Sequence, residues 1–249
     1  MSGSEHSKVT FPWQWPTAFG GLSVTQQISS GYDAARVSAE LAETERAFRL
    51  VRQDGPHHNG GWNRMGLVSP DGDPEQSYLK RGQKPGKTPV LRAMPYLESI
   101  IDELGVPVMS ASVSVMLPGA RVRWHRDPAY SVDRAFVRLH LPIVTHSSAT
   151  LEIGHELTRW AAGILYYGDF TFPHRVAHDG PVPRIHIMID LQAESARRLF
   201  NTEYLAAAGK RHWARRISAR VFDFSERLHP AGRYAIRYRQ QRQQMISNG

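Results

Sequence analysis

Between residues 109 and 191 the chain alternates apolar and polar positions in short runs. In "ASVSVML", Ser112, Ser114 and Met116 fall on one face of an extended chain, and Val113, Val115 and Leu117 on the other. In "VRLHLPI", Arg138 and His140 oppose Leu139 and Leu141. In "PRIHIMID", Arg184 and His186 oppose Ile185, Ile187 and Ile189. The runs "RVRWH", "ATLEIG", "GILYYGDF" and "FPHRVAHD" complete the set, with Gly and Pro between them. Several short strands at this spacing predict a sandwich or barrel. One face of the strands is apolar. The other carries Ser, Arg and His, which suits a barrel that holds a polar ligand.

The flanks read differently. Residues 1 to 30 are rich in Gly, Pro, Ser and Trp and predict irregular chain. Residues 31 to 49 have helical spacing of Ala, Val, Leu and Phe. Residues 54 to 76 predict loop with one short strand around 62 to 68, and 94 to 104 a short amphipathic helix stopped by Gly105 with Pro107 beyond. After Gln192 the pattern turns helical through "SARRLFNTEYLAAAG", "HWARRISARVFDF" and "AGRYAIRYRQQRQQM". The expected organisation is a barrel domain with N-terminal helices over 1–195 and a basic C-terminal helical cap over 196–249. No internal repeat is visible.

Composition narrows the classes. The 249 residues, 41% of them hydrophobic, suffice for one sizeable core. Cysteine is absent, which excludes disulfides and thiolate metal sites. The opening "MSGSEHSKVT" lacks the apolar run of a signal peptide, and no window approaches the ~18 apolar residues of a membrane span. A cytoplasmic protein with no membrane partner is expected. Residues 201 to 249 hold ten Lys and Arg against three Asp and Glu, and so supply +7 of the net +8. Such a stripe is either a nucleic-acid footprint or a solvated helix face. No DNA- or RNA-binding module accompanies it, so the solvated face is expected. The oligomeric state is not legible.

The candidate chemistry lies in "WHRDPAY", where His125 and Asp127 stand two apart. On a strand such a pair points to one side, as metal ligands or as a salt bridge. Two histidines and a carboxylate on one face of a metal leave three positions open, an arrangement suited to Fe(II). The third ligand must come from another strand. His174 lies 49 residues further on, and His178 on the same run is its rival. His140, His146, His155 and His186 are expected as hydrogen-bonded core or surface histidines. Arg184 and Arg138 point into the barrel and need anions, because an unpaired buried charge is costly. Each has an internal Asp or Glu or a bound dicarboxylate as its possible partner, and a hydroxyl such as Ser114 could complete the grip on a dicarboxylate.

The segments "SVMLPGARVRWHRD", "DRAFVRLHLPI" and "PHRVAHDGPVPRIHIMIDL" resemble the aspartyl/asparaginyl β-hydroxylase family of Fe(II)/2-oxoglutarate-dependent oxygenases. The likeness is greatest to bacterial members that hydroxylate free amino acids, proline among them. It runs from about Pro89 to Leu191, with a weaker echo in "GGWNRMGLVSPDG". The resemblance implies a mainly β fold with flanking helices, a double-stranded β-helix of jelly-roll, cupin-like type. It implies His125, Asp127 and His174 as metal ligands and the catalytic centre. The family sets an arginine ten residues after its distal histidine, on the cosubstrate's distal carboxylate. Arg184 stands ten after His174, which favours His174 over His178. Ser114 matches a serine on the same carboxylate, and Arg138 and His140 match an R-x-H pair lining the cosubstrate and substrate sites. Animal protein-modifying members lack the carboxylate ligand, so Asp127 sets this chain with the bacterial branch.

The implied reaction uses Fe(II), 2-oxoglutarate and O2 to hydroxylate an unactivated C–H bond, releasing succinate. The expected substrate is a small amino acid or derivative, contacted by Trp62, Asn63, Arg126 and Arg138. Arg123, His140 and His178 are further polar groups in reach. Desaturation, ring closure or action on a peptide side chain would use the same ligands. A non-enzyme alternative is a cupin-like sensing barrel with nucleic-acid-docking helices. A zinc hydrolase is disfavoured, because no general-base Glu neighbours the metal set.

Overall fold

The computed structural model of the chain describes residues 5–6, 10–53, 55–76 and 83–228. Among these residues thirteen strands are formed: β1 (Glu5–His6), β2 (Thr25–Ser30), β3 (Val51–Arg52), β4 (Trp62–Pro70), β5 (Pro85–Lys87), β6 (Val108–Met116), β7 (Arg121–His125), β8 (Phe136–Val144), β9 (Ala149–Ile153), β10 (Glu156–Thr158), β11 (Ile164–Gly168), β12 (His174–His178) and β13 (Arg184–Gln192). The helices are α1 (Trp15–Phe19), α2 (Ala34–Thr44), α3 (Pro89–Arg92), α4 (Pro95–Glu103), α5 (Ala193–Ala196), α6 (Thr202–Ala206) and α7 (Ala208–Leu228).

The strands form two sheets. The larger has the order β2-β11-β8-β13-β6-β4-β3 with β5 beside β4, and the smaller β1-β10-β9-β12-β7. From β6 to β13 the chain passes back and forth between them, and every pairing is antiparallel. That winding is a double-stranded β-helix of jelly-roll type. The seven strand-like runs expected from alternation are all strands. β10 and the short outer strands lack a clear period-two signal. β2 lies in the segment expected to be irregular, and owes its existence to pairing with β11.

The two faces of the larger sheet have different work. Val113, Val115, Leu139, Leu141, Ile187 and Ile189 point outward into the main core. There they meet Val37 and Leu41 of α2 and Leu97, Ile100 and Ile101 of α4. The opposite face lines the space between the sheets. Leu117, expected to share the apolar face, lies past the end of β6 and is 41% exposed. Leu139 is fully buried on β8, a strand paired on both sides. Leu139→Ala should therefore cost about 2–5 kcal/mol in a denaturant melt. A loss near zero would mean that the outward apolar face is not the main core.

The helices follow their end signals. Asp33 caps α2, its side chain accepting from the Arg36 N–H at 3.0 Å. The helix stops at Thr44, short of the expected 49. Gly105, at φ +60°, follows α4 where a stop is expected. The C-terminal helical run is broken at Phe200, after which Asn201 caps α6. The stretch "AGRYAIRYRQQRQQM" lies outside the described residues. Among the described residues no helix is long and apolar enough to cross a membrane. The basic stripe is not uniformly a solvated face. Arg216, Arg220 and Arg227 are exposed, but Arg211 and Arg215 are 0% and 4% exposed and turn inward. Both reach Asp133, and Arg215 also reaches Asp169. Buried cations need such partners, and charge counting along the chain cannot reveal them.

Candidate active site

A cleft of about 520 Å³, including its solvent mouth, opens between the sheets. His125, His174 and Val176 line it from the smaller sheet, and Ser114, Arg138, His140 and Arg184 from the larger. Register explains the histidine pair. His174 of β12 stands opposite His125 of β7, with ring centroids 4.0 Å apart. Strand β7 ends at His125, so Asp127 arrives from the turn that follows and not from a shared strand face. That turn is pinned by the Asp127 N–H donating to the Phe170 carbonyl at 2.9 Å. One ligand atom from each of His125, Asp127 and His174 lies within 4.8 Å of the others. Among the described residues this is the one group able to hold a metal.

Hydrogen bonds orient both imidazoles. His125 Nδ1 lies 2.9 Å from the Arg123 carbonyl, and His174 Nδ1 3.0 Å from the Phe172 carbonyl. With those nitrogens donating, Nε2 carries the free lone pair, as a metal ligand requires. Burial pushes His174 down to about 3, so it is neutral and ready to ligate at neutral pH. Burial of Asp127 would raise its carboxyl. The electrostatic pull of His125 first, and of the Arg138 guanidinium, outweighs that and holds it below the usual carboxylate range. His178 is elsewhere: it pairs with Ala149 at the far end of β12, and its Nε2 lies 2.7 Å from the Val182 carbonyl.

Arg184 is 6% exposed and lines the cleft. Its guanidinium contacts Met116 Sδ at 3.5 Å and His186 Nδ1 at 3.2 Å. Among the described residues no carboxylate pairs with it. Burial lowers it to about 10, which leaves it charged at neutral pH. It is a buried cation turned toward a cleft without its anion.

Arg138 has the opposite solution. Its Nε and Nη2 donate to Asp190 at 2.7 and 2.8 Å, and its Nη1 to Asp127 at 3.2 Å. The Tyr130 ring packs 4.0 Å from its guanidinium carbon. The internal-carboxylate partner foreseen for such an arginine is therefore realised at Arg138 and not at Arg184. Arg138 also braces the carboxylate of the metal group. Beyond it the cleft continues into a polar chamber lined by Gln53, Arg64, Ser110, Ser112, Tyr130 and Asp190.

The other expected residues separate. Ser114 is buried and accepts from Trp62 Nε1 at 2.8 Å, and both line the cleft. Asn63, the next residue on β4, takes the other face and is not among the lining residues. Arg126 is held by Asp223 of α7 through two bonds of 2.9 and 2.8 Å, outside the cleft lining. His140 is buried, but neither ring nitrogen has a hydrogen-bond partner, unlike the bonded core histidine expected by default. Its ring touches those of Trp160, Phe170 and His186. Sequence reasoning misses Asp190, Tyr130 and His57. Asp190 continues the inward alternation of Arg184, His186 and Met188, a signal that was available. His57, from the loop before β4, stacks 5.0 Å from His125, and only tertiary structure puts it there.

The family described as Aspartyl/Asparaginyl beta-hydroxylase matches residues 28–194. The chain is 26% identical over 166 residues to L-proline cis-4-hydroxylase of Rhizobium meliloti, covering 65% of this chain and 58% of that protein. It is 36% identical over 85 residues to mouse aspartate beta-hydroxylase domain-containing protein 1, covering 33% of this chain and 22% of the relative. The chain thus spans little more than half of one curated relative and about a fifth of the other. Among solved structures it is similar to a 2OG-Fe(II) oxygenase family oxidoreductase from Burkholderia pseudomallei, with TM-score 0.49, 12% identity and coverage of 78% of this chain and 98% of that one.

Proposed function

The chain belongs to the aspartyl/asparaginyl β-hydroxylase family, and from that premise we propose that it is an Fe(II)- and 2-oxoglutarate-dependent oxygenase that hydroxylates a small amino acid or amino-acid derivative. His125, Asp127 and His174 hold the metal. The observation that carries the reading is Arg184, a buried cation without a carboxylate partner in the same cleft as that trio. It is the natural receptor for the distal carboxylate of a keto diacid, with Ser114 beside it. Two imidazole nitrogens and one carboxylate suit Fe(II) and would leave positions open on it. When bound, the metal and 2-oxoglutarate supply the oxidising chemistry, with CO2 and succinate as the cosubstrate's products.

The chain's own residues then orient and exclude. Arg138 holds the Asp127 carboxylate in place through the bond from its Nη1. Trp62 fixes the Ser114 hydroxyl through its indole N–H. Phe170, Leu151 and Val176 wall the metal side with apolar surface that keeps water out. The polar chamber past Arg138 is the place for the substrate, and the hydroxyls of Ser110, Ser112 and Tyr130 with the Arg64 guanidinium suit a small polar molecule that bears a carboxylate.

The test is anaerobic loading with Fe(II), 2-oxoglutarate and panels of free amino acids, short peptides and acyl lipids, followed by oxygen and mass spectrometry. A free amino acid that gains one oxygen atom in step with succinate release is the expected result. A product lighter by two hydrogens would instead assign desaturation or ring closure. Coupling only to peptides or lipids would overturn the amino-acid class.

A further inference from the structure

The two segments that carry the proposed ligands meet a common support on their outer side. Residues 169 to 173 lead into His174. In this loop the Phe170 carbonyl accepts from the Asp127 N–H, and the Phe172 carbonyl partners His174 Nδ1. Asp169 and Thr171, on either side of Phe170, are not among the cleft-lining residues and meet α7 instead. Arg215 there donates through Nε to Thr171 Oγ1 at 2.6 Å, and through Nη2 to Asp169 Oδ2 at 2.9 Å and Ser131 Oγ at 3.0 Å. Thr171 Oγ1 in turn donates to Asp169 Oδ1. Asp169, Thr171 and Ser131 are all buried. Ser131 belongs to the turn that follows Asp127, so one guanidinium binds both ligand-bearing segments.

Further along the same helix, Asp223 takes both bonds from Arg126, the residue before Asp127. Glu226 lies 3.7 Å from Arg123, whose carbonyl partners His125 Nδ1. Residues 215, 223 and 226 of one helix therefore reach the neighbourhood of all three proposed ligands. Elsewhere on α7, Arg211 and Arg215 pair with Asp133, Phe222 lies edge-on to Trp13, and the Ser218 hydroxyl donates to the Trp13 carbonyl.

We infer that α7 is a built-in part of the metal centre, and that Arg215 is a positioning residue that sets the spacing of the Asp127 and His174 segments. This rests on the reading of His125, Asp127 and His174 as metal ligands. A guanidinium suits the task because its planar fork fixes several acceptors at once in a rigid geometry. Partners outside the ligand set commonly control metal affinity by tenfold to a hundredfold. The basic helix is thus oriented by function on its buried side, whatever its exposed arginines do.

The test is titration with Co(II) alone, read by its visible absorption and without turnover. The full-length protein should bind Co(II), and His174→Ala should lose it. Failure of that pair of results overturns the metal reading itself. With it in hand, Arg215→Met should weaken Co(II) binding by about tenfold or more, and Arg215→Lys should recover part of the loss. Thr171→Val removes one acceptor of the fork and should shift affinity in the same direction by less; it decides the matter if Arg215→Met does not fold. Phe222→Leu loosens the same helix through packing alone, and should lower the melting temperature with Co(II) affinity within about twofold of the parent. The inference is overturned if Arg215→Met and Thr171→Val bind Co(II) like the parent. It is equally overturned if Phe222→Leu weakens binding as much as they do.

Discussion

His174→Ala is expected to abolish succinate formation that depends on added iron, while His178→Ala retains it. The two histidines share a strand and a face, four residues apart, so proximity in sequence does not separate them. Register does. His174 stands opposite His125, and its Nδ1 meets a backbone carbonyl so that Nε2 turns to the shared point. His178 spends Nε2 on the Val182 carbonyl, and its strand neighbour there is Ala149. Removing His174 leaves two protein ligands where the proposed centre needs three. Removing His178 loosens a turn and costs stability, not metal. Turnover of 2-oxoglutarate by each variant, at saturating iron, measures the difference. Retained activity in His174→Ala together with loss in His178→Ala would transfer the ligand role.

The legible part of this protein is what local periodicity encodes. Alternation in β6, β8 and β13 marks an apolar and a polar face, and the polar face is the cleft wall that carries Ser114, Arg138, His140 and Arg184. The pair His125 and Asp127 stood out for its spacing, although the strand ends between them and a backbone bond from a distant loop makes them converge. What stayed hidden depends on long-range pairing. β2 has little alternation of its own and exists because β11 needs a neighbour. Asp190 as the partner of Arg138, and Asp169 as the partner of Arg215, are choices among several carboxylates that only the fold makes. The basic C-terminal run shows the limit most clearly: its count of charges is the same whether an arginine faces water or a buried aspartate.

Replacing Arg184 should separate two properties that most buried charges combine. The guanidinium is desolvated and lacks a carboxylate among the described residues, so in the ligand-free protein it is a liability. Arg184→Met fills similar space without the charge, and the variant alone should melt no lower than the parent. The cosubstrate tells the opposite story. A charged hydrogen bond contributes roughly 1.5–3 kcal/mol, and each 1.4 kcal/mol is about tenfold in affinity. Arg184→Met and Arg184→Ala should therefore raise the apparent 2-oxoglutarate constant by about ten- to a hundredfold or more. The parent should gain melting temperature when 2-oxoglutarate is added with Co(II), and Arg184→Met should lose most of that gain, because stabilisation by a ligand follows its affinity for the folded state. Co(II) binding without 2-oxoglutarate should be unchanged in the variant, since Arg184 touches none of the three proposed ligands. An unchanged 2-oxoglutarate constant would assign the distal carboxylate to another cation of the cleft. A lower melting temperature for ligand-free Arg184→Met would show that the arginine serves the fold, and not a ligand.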